Sequence, residues 1–148
     1  MKKLKDLIEK AKSDEDLKKK TGVYKLHWKK GSKPESIHRL AETDNQGILY
    51  IGCTKKQGLY SRLKNMATAF DSKKKQMHTL GLRLVHKPLK NMISIEDIYV
   101  TYELCDNSEE REKELIRNYF LKYGEEPPLN SKTLEYLKSK NNPQNSKP

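Results

Sequence analysis

The chain has 148 residues, of which 34% are hydrophobic and 34% charged, and a formal net charge of +11 at pH 7. That length is enough for one domain with a buried core, and no stretch approaches the ~20 apolar residues of a membrane span. Two cysteines, Cys53 and Cys105, and four histidines show no ligand spacing, which excludes a zinc ribbon; reduced thiols and no structural metal are expected.

The segment after Met1-Lys2-Lys3-Leu4-Lys5 lacks the apolar run of a signal peptide, so a cytoplasmic location is expected. Leu4, Leu7, Ile8 and Ala11 at helical spacing predict a helix, and Ser13 before Asp14, Glu15 and Asp16 predicts the cap of a second; residues 1–20 read as a helical extension. Residues 22–28 alternate as a strand, and 37–42 suggest another. The polar run Thr43-Asp44-Asn45-Gln46-Gly47 turns the chain into a partner strand over 48–53. Leu59, Leu63 and Met66 predict a helix, and Met77, Leu80, Leu84 and Val85 predict another that Pro88 ends. Between these helices Lys73, Lys74 and Lys75 form a positive patch. Ile98, Val100, Tyr102 and Leu104 alternate against Tyr99, Thr101 and Glu103 as a further strand. Asp106-Asn107-Ser108 followed by Glu109 and Glu110 starts a helix that Gly124 and Pro127-Pro128 stop. Residues 132–138 suggest a last turn or two, before a tail with nothing to bury, which is expected to be disordered.

The excess of positive charge makes an acidic polymer the expected partner, because phosphate neutralisation by Lys and Arg dominates nucleic-acid affinity. Only five basic residues are arginine: Arg39, Arg62, Arg83, Arg111 and Arg117. Each is better suited than lysine to bidentate phosphate or carboxylate contacts. In the last long helix the apolar stripe is Leu115, Ile116, Tyr119 and Phe120, and stepping back three and four residues from Leu115 and Ile116 reaches Glu112. Glu109, Glu110 and Glu114 fall toward the wet side. A carboxylate on an apolar face needs compensation, for which a divalent cation or an arginine is the natural partner.

Gly22-Val23-Tyr24, Tyr50-Ile51-Gly52, Arg62 in Tyr60-Ser61-Arg62-Leu63, Glu112 before Leu115-Ile116, and Asn130 after Pro127-Pro128-Leu129 stand in an order that resembles the GIY-YIG endonuclease family. The resemblance covers about residues 21–131. It implies an α/β domain of the α+β kind, with a small central three-stranded antiparallel sheet flanked by helices, that cuts DNA with a divalent metal. It also selects Glu112 over Glu114. In that reading Glu112 holds one Mg²⁺ (or Mn²⁺), Arg62 grips the scissile phosphate and Tyr24 is the candidate general base, with Lys55 as the cation that lowers its pKa. Tyr50 positions water or phosphate, and Asn130 ties the loop after the helix to the site.

Some relatives carry a histidine where this chain has Met66, and His78 is the available substitute. The long segment between the two tyrosine motifs departs from the family's short hairpin in a way found in its restriction-enzyme branch. Specificity for DNA is expected from that insertion, from Lys73, Lys74, Lys75 and Arg83, or from a homodimer. The alternative is a catalytically inactive basic nucleic-acid-binding module of the same fold.

Overall fold

Strand propensity concentrated in the run Gly22-Val23-Tyr24-Lys25-Leu26-His27-Trp28 produces the central strand of a mixed α+β fold. The computed structural model describes residues 1–70, 84 and 87–130. In chain order the elements are β1 (Lys2–Lys3), α1 (Leu4–Ala11), α2 (Glu15–Lys19), β2 (Gly22–Lys30), β3 (Lys33–Pro34), β4 (Ile37–His38), β5 (Thr43–Asp44), β6 (Ile48–Cys53), α3 (Leu59–Thr68), α4 (Lys87–Met92), a 3-10 turn (Ile95–Asp97), β7 (Ile98–Leu104) and α5 (Ser108–Tyr123). Lys73, Lys74, Lys75, His78, Arg83, most of the helix expected over 77–85 and the turn expected over 132–138 lie outside the described residues.

β2 is flanked by β7, from Gly22↔Leu104 to Trp28↔Ile98, and by β6, from Val23↔Cys53 to His27↔Ile48. Two short strands lengthen this sheet: β1 pairs Lys2 with Val100, and β3 pairs Lys29 with Pro34. The sheet is antiparallel throughout and has five strands rather than the expected three. β1 was not legible because its lysines are exposed and it pairs through backbone alone. Between Leu26 and His27 the register with β6 shifts, so Leu49 is an extra residue in that strand. Leu49 and Tyr50 therefore both face the first core cluster, while Ile48 and Ile51 face the second.

Each face of the sheet is covered. On one, Leu4, Leu7, Ala11 and Leu17 of α1 and α2 and Leu59, Leu63 and Met66 of α3 pack against Tyr24, Leu26, Ile98 and Val100. On the other, Ile116, Tyr119 and Tyr123 of α5 pack against Ile48 and Ile51. Burial of these apolar faces holds the layers together, at about 25 cal/mol per Å² of apolar surface removed from water.

Three local expectations change. The cap of α2 is Asp14, which accepts from Leu17 N at 3.1 Å, while the Ser13 hydroxyl donates to Lys10 O at 3.2 Å. The strand suggested over 37–42 shrinks to Ile37–His38, paired with Thr43 and Asp44. Pro88 lies in the first turn of α4 instead of ending a helix, a position where its missing N–H has no intrahelical partner to lose. At the other end of α5, Gly124 closes the helix in the left-handed region (φ 76°), as the Gly-Pro-Pro punctuation implied.

The insertion between β2 and β6 is fastened to α5 through a buried carboxylate. Asp44 accepts from Gln46 N at 2.8 Å, Ile48 N at 2.9 Å, the Tyr119 hydroxyl at 3.0 Å and the Tyr123 hydroxyl at 3.5 Å. Four donors compensate the removal of this charge from water. Beside it Arg39 Nε lies 3.1 Å from Glu125 Oε1, and Ala41 N donates to Tyr123 O at 3.1 Å.

His27 is also buried, with Nδ1 3.0 Å from Gln46 O and Nε2 2.9 Å from Thr101 Oγ1. A neutral ring that donates from Nδ1 and accepts at Nε2 satisfies both contacts. Burial, reinforced by Lys25 and opposed by the Gln46 hydrogen bond and Asp44, holds its pKa below 6.5. The unfolded chain takes up this proton first as pH falls, so stability should drop from about pH 6.5 downward until the depressed native pKa is passed. Thermal melts between pH 7.5 and about 5 should show that decline, with a shallower slope in His27→Gln; equal slopes would contradict it.

Candidate active site

The strand pairing brings Tyr24 opposite Gly52, and Tyr50 precedes Gly52 by two residues on the same side of β6. Their rings lie 6.1 Å apart at 36°. Space for them exists because residue 52 has no side chain: a Cβ there would lie 2.5 Å from Tyr50 Cε1 and 2.6 Å from the Tyr24 hydroxyl oxygen. Tyr24 is 1% exposed, with its hydroxyl directed to the start of α3 rather than into hydrocarbon. There Arg62 Nε donates to it at 3.1 Å, and Tyr50 is also hydrogen-bonded to this arginine.

Arg62 is half-buried, and the partners that hold it are neutral phenols. Burial works against its charge, but Tyr24 and Tyr50 outweigh this and its pKa is raised, so it remains a cation. The described residues provide it no carboxylate ion pair. Arg39 and Arg111 differ, since they pair with Glu125 and with Glu103 and Glu114. Burial pushes the Tyr24 phenol well above 10, and Tyr50 adds to this against the pull of Arg62. Tyr50 is also raised by burial, again opposed by Arg62.

Glu112 comes from α5, on the other side of the sheet, and meets this cluster at the end of β6. Its charge acts on both phenols, and its Oε2 accepts a hydrogen bond from the Cys53 thiol at 3.1 Å. Burial first and Glu112 second push that thiol up to about 12, so it is a donor and not a thiolate. The first turn of α5 is pinned where it must be for this contact: Ser108 Oγ donates to Thr54 O at 2.5 Å, and Thr54 Oγ1 accepts from Gly22 N at 2.8 Å. Glu114, in contrast, is exposed and paired with Arg111 at 2.8 Å.

Asn130 holds the strand itself. Its Oδ1 accepts from Ile51 N at 2.9 Å and its Nδ2 donates to Ile51 O at 2.8 Å, while Leu129 N donates to Leu49 O at 2.9 Å. The segment after α5 thus seals the edge of β6 beside Tyr50 and Gly52, without touching the Arg62 cluster through the Asn130 amide.

Tyr24, Tyr50, Arg62 and Glu112 are therefore brought together, with Asn130 behind them. Lys55 is not on the Tyr24 hydroxyl: its ammonium lies 3.4 Å from Glu109 Oε1, and Arg62 occupies the place expected for it. Cys53 was missed, since neither its spacing nor its neighbours marked it; its place directly after Gly52 was the one available cue.

Among the described residues no group of three or more His, Cys, Asp or Glu converges to hold a metal ion, and no helix is long and apolar enough to cross a membrane. A single carboxylate beside phenol oxygens is a donor set that fits a hard cation keeping most of its water, such as Mg²⁺ or Mn²⁺, and not a fully protein-bound ion. Comparison of the chain with protein-family models, with curated proteins and with solved structures finds no match. The functional reading rests on the geometry of the cluster and on the sequence.

Proposed function

We propose that the chain is a divalent-metal-dependent endonuclease that hydrolyses phosphodiester bonds in DNA, with β6, β2 and β7 serving as the three-stranded core of a GIY-YIG-like nuclease. The observation that carries this reading is the Arg62 guanidinium, half-buried among neutral phenols and without a carboxylate partner among the described residues. A cation withdrawn from water on neutral partners gains most from an anionic ligand, and its planar fork suits the non-bridging oxygens of a phosphate. The charge of +11 favours an acidic polymer over a small phosphate ester.

In this reading Arg62 binds and orients the scissile phosphate, with its Nε held by Tyr24. Tyr50 contributes a hydrogen bond to phosphate or water at the same place. Glu112 is the residue that would hold Mg²⁺ or Mn²⁺, which supplies Lewis-acid stabilisation of the phosphate charge. Tyr24 is the candidate proton acceptor, and its raised pKa has a consequence for rate. A base must be deprotonated to work, so activity should climb with pH through the alkaline range and not level off near neutrality.

Supercoiled plasmid incubated with the protein and Mg²⁺ or Mn²⁺ should be nicked, and a chelator should stop the reaction. The rate should rise between pH 7 and about 10 in the wild type and less steeply in Tyr24→Phe. Salt-sensitive DNA binding without cleavage under any divalent ion would instead assign the chain to the second reading, an inactive nucleic-acid-binding module of the same fold. That reading is favoured by one observation, the burial that keeps Tyr24 protonated.

A further inference from the structure

We propose that Cys53 is a positioning residue for the Glu112 carboxylate, holding it through a thiol hydrogen bond in the orientation in which it takes a divalent cation. The inference rests on the nuclease reading above and adds to it a residue that the reading does not require.

Three features of the fold support it. Cys53 is the last residue of β6 and is paired with Val23 across the sheet, so its side chain points to the α5 side while Gly52, one residue earlier, leaves room for the two phenols on the opposite side. One strand end thus serves both halves of the site. Second, the Sγ to Oε2 separation of 3.1 Å is short for a sulfur donor, and a thiol has one proton to give, so the contact fixes a particular carboxylate oxygen. Third, both partners have little backbone freedom. Cys53 is 6% exposed in a paired strand, and Glu112 lies one turn into a helix whose start is tied by Ser108 to Thr54, the residue after Cys53. A flexible glutamate with three side-chain torsions is thereby held against the strand that carries Tyr50.

Residues that hydrogen-bond a metal-ligating carboxylate orient it, and their removal commonly lowers metal affinity by about 10–100-fold. Substitution of Cys53 should act on metal binding and turnover while leaving DNA affinity alone. Serine keeps a donor at nearly the same place, whereas alanine removes it.

The test is Mn²⁺ binding to the full chain, followed by electron paramagnetic resonance and calorimetry, in the wild type, Cys53→Ala, Cys53→Ser, Glu112→Gln and Cys105→Ala. Cys53→Ala should weaken Mn²⁺ binding by about 10-fold, with a matching fall in kcat for plasmid nicking and an unchanged KM for DNA. Cys53→Ser should recover most of the binding, and Cys105→Ala should behave as the wild type. If Glu112→Gln loses Mn²⁺ while Cys53→Ala binds it as tightly as the wild type, the positioning role is overturned and the nuclease reading stands. A serine variant as impaired as the alanine variant overturns it too, because a lost donor cannot then be the cause. A wild type that neither binds Mn²⁺ nor nicks DNA overturns both.

Discussion

Arg62→Ala is expected to slow plasmid nicking by about 10³-fold, the scale on which a preorganised donor to a developing oxyanion contributes, while the protein stays folded. The two effects should separate because the guanidinium is not a net structural asset where it sits. It is half-buried against Tyr24 and Tyr50, and the described residues give it no carboxylate. Removing a cation held that way returns its desolvation cost and leaves behind two phenols that can hydrogen-bond each other or water. Arg62→Lys should recover only a small part of the rate. An ammonium is a point charge on a flexible stem and cannot hold the Tyr24 oxygen and a phosphate in one plane. Nicking rates and thermal melts on the two variants check this. A lysine variant as active as the wild type, or an alanine variant whose inactivity tracks unfolding, would defeat the assignment of Arg62.

Glu112→Ala is expected to take nicking to the level of the reaction without protein, and Glu114→Ala to leave it within about twofold. The two glutamates are one half-turn apart on α5 and differ in surroundings. Glu112 faces the end of β6, bonded by Cys53 and acting on the charge state of both phenols. Glu114 is exposed and paired with Arg111, an arrangement whose removal costs about 0–1 kcal/mol. Side-by-side kinetics at saturating Mg²⁺ decide between them. The reverse ranking would place the metal-binding carboxylate elsewhere on the helix.

Much of this arrangement could be read from residue order, for reasons particular to each element. Alternation over Ile98–Leu104, and the turn residues before Ile48–Cys53, mark strands that are found with those bounds. The apolar stripe of α5 and its Gly-Pro-Pro end likewise locate a helix over Ser108–Tyr123. Helical stepping alone aims Glu112 inward. What escaped were contacts made by backbone, or by side chains whose direction depends on the fold. β1 shows no pattern because Lys2 and Lys3 contribute only their peptide groups. Lys55 lies three positions after Gly52, but proximity along the chain does not show which way a long side chain turns; it turns to Glu109. The contact of Cys53 with Glu112 depends on the strand and the helix meeting at one corner, which neither segment records by itself.

The brace on the far end of α5 reaches further than its own hydrogen bonds. From Glu112 to Tyr123 the helix spans about 16 Å, at 1.5 Å per residue. If a change in the insertion tilted the braced end by about 5° about Tyr123, the carboxylate would swing by roughly 1.4 Å, beyond the ~0.5 Å within which reacting groups must be held. Asp44 and Arg39 therefore set the aim of a residue they never touch. The insertion has freedom only at its crest, where Leu40 is 81% exposed, so sequence drift should gather at that crest while the acid and the arginine below it keep the lever trained.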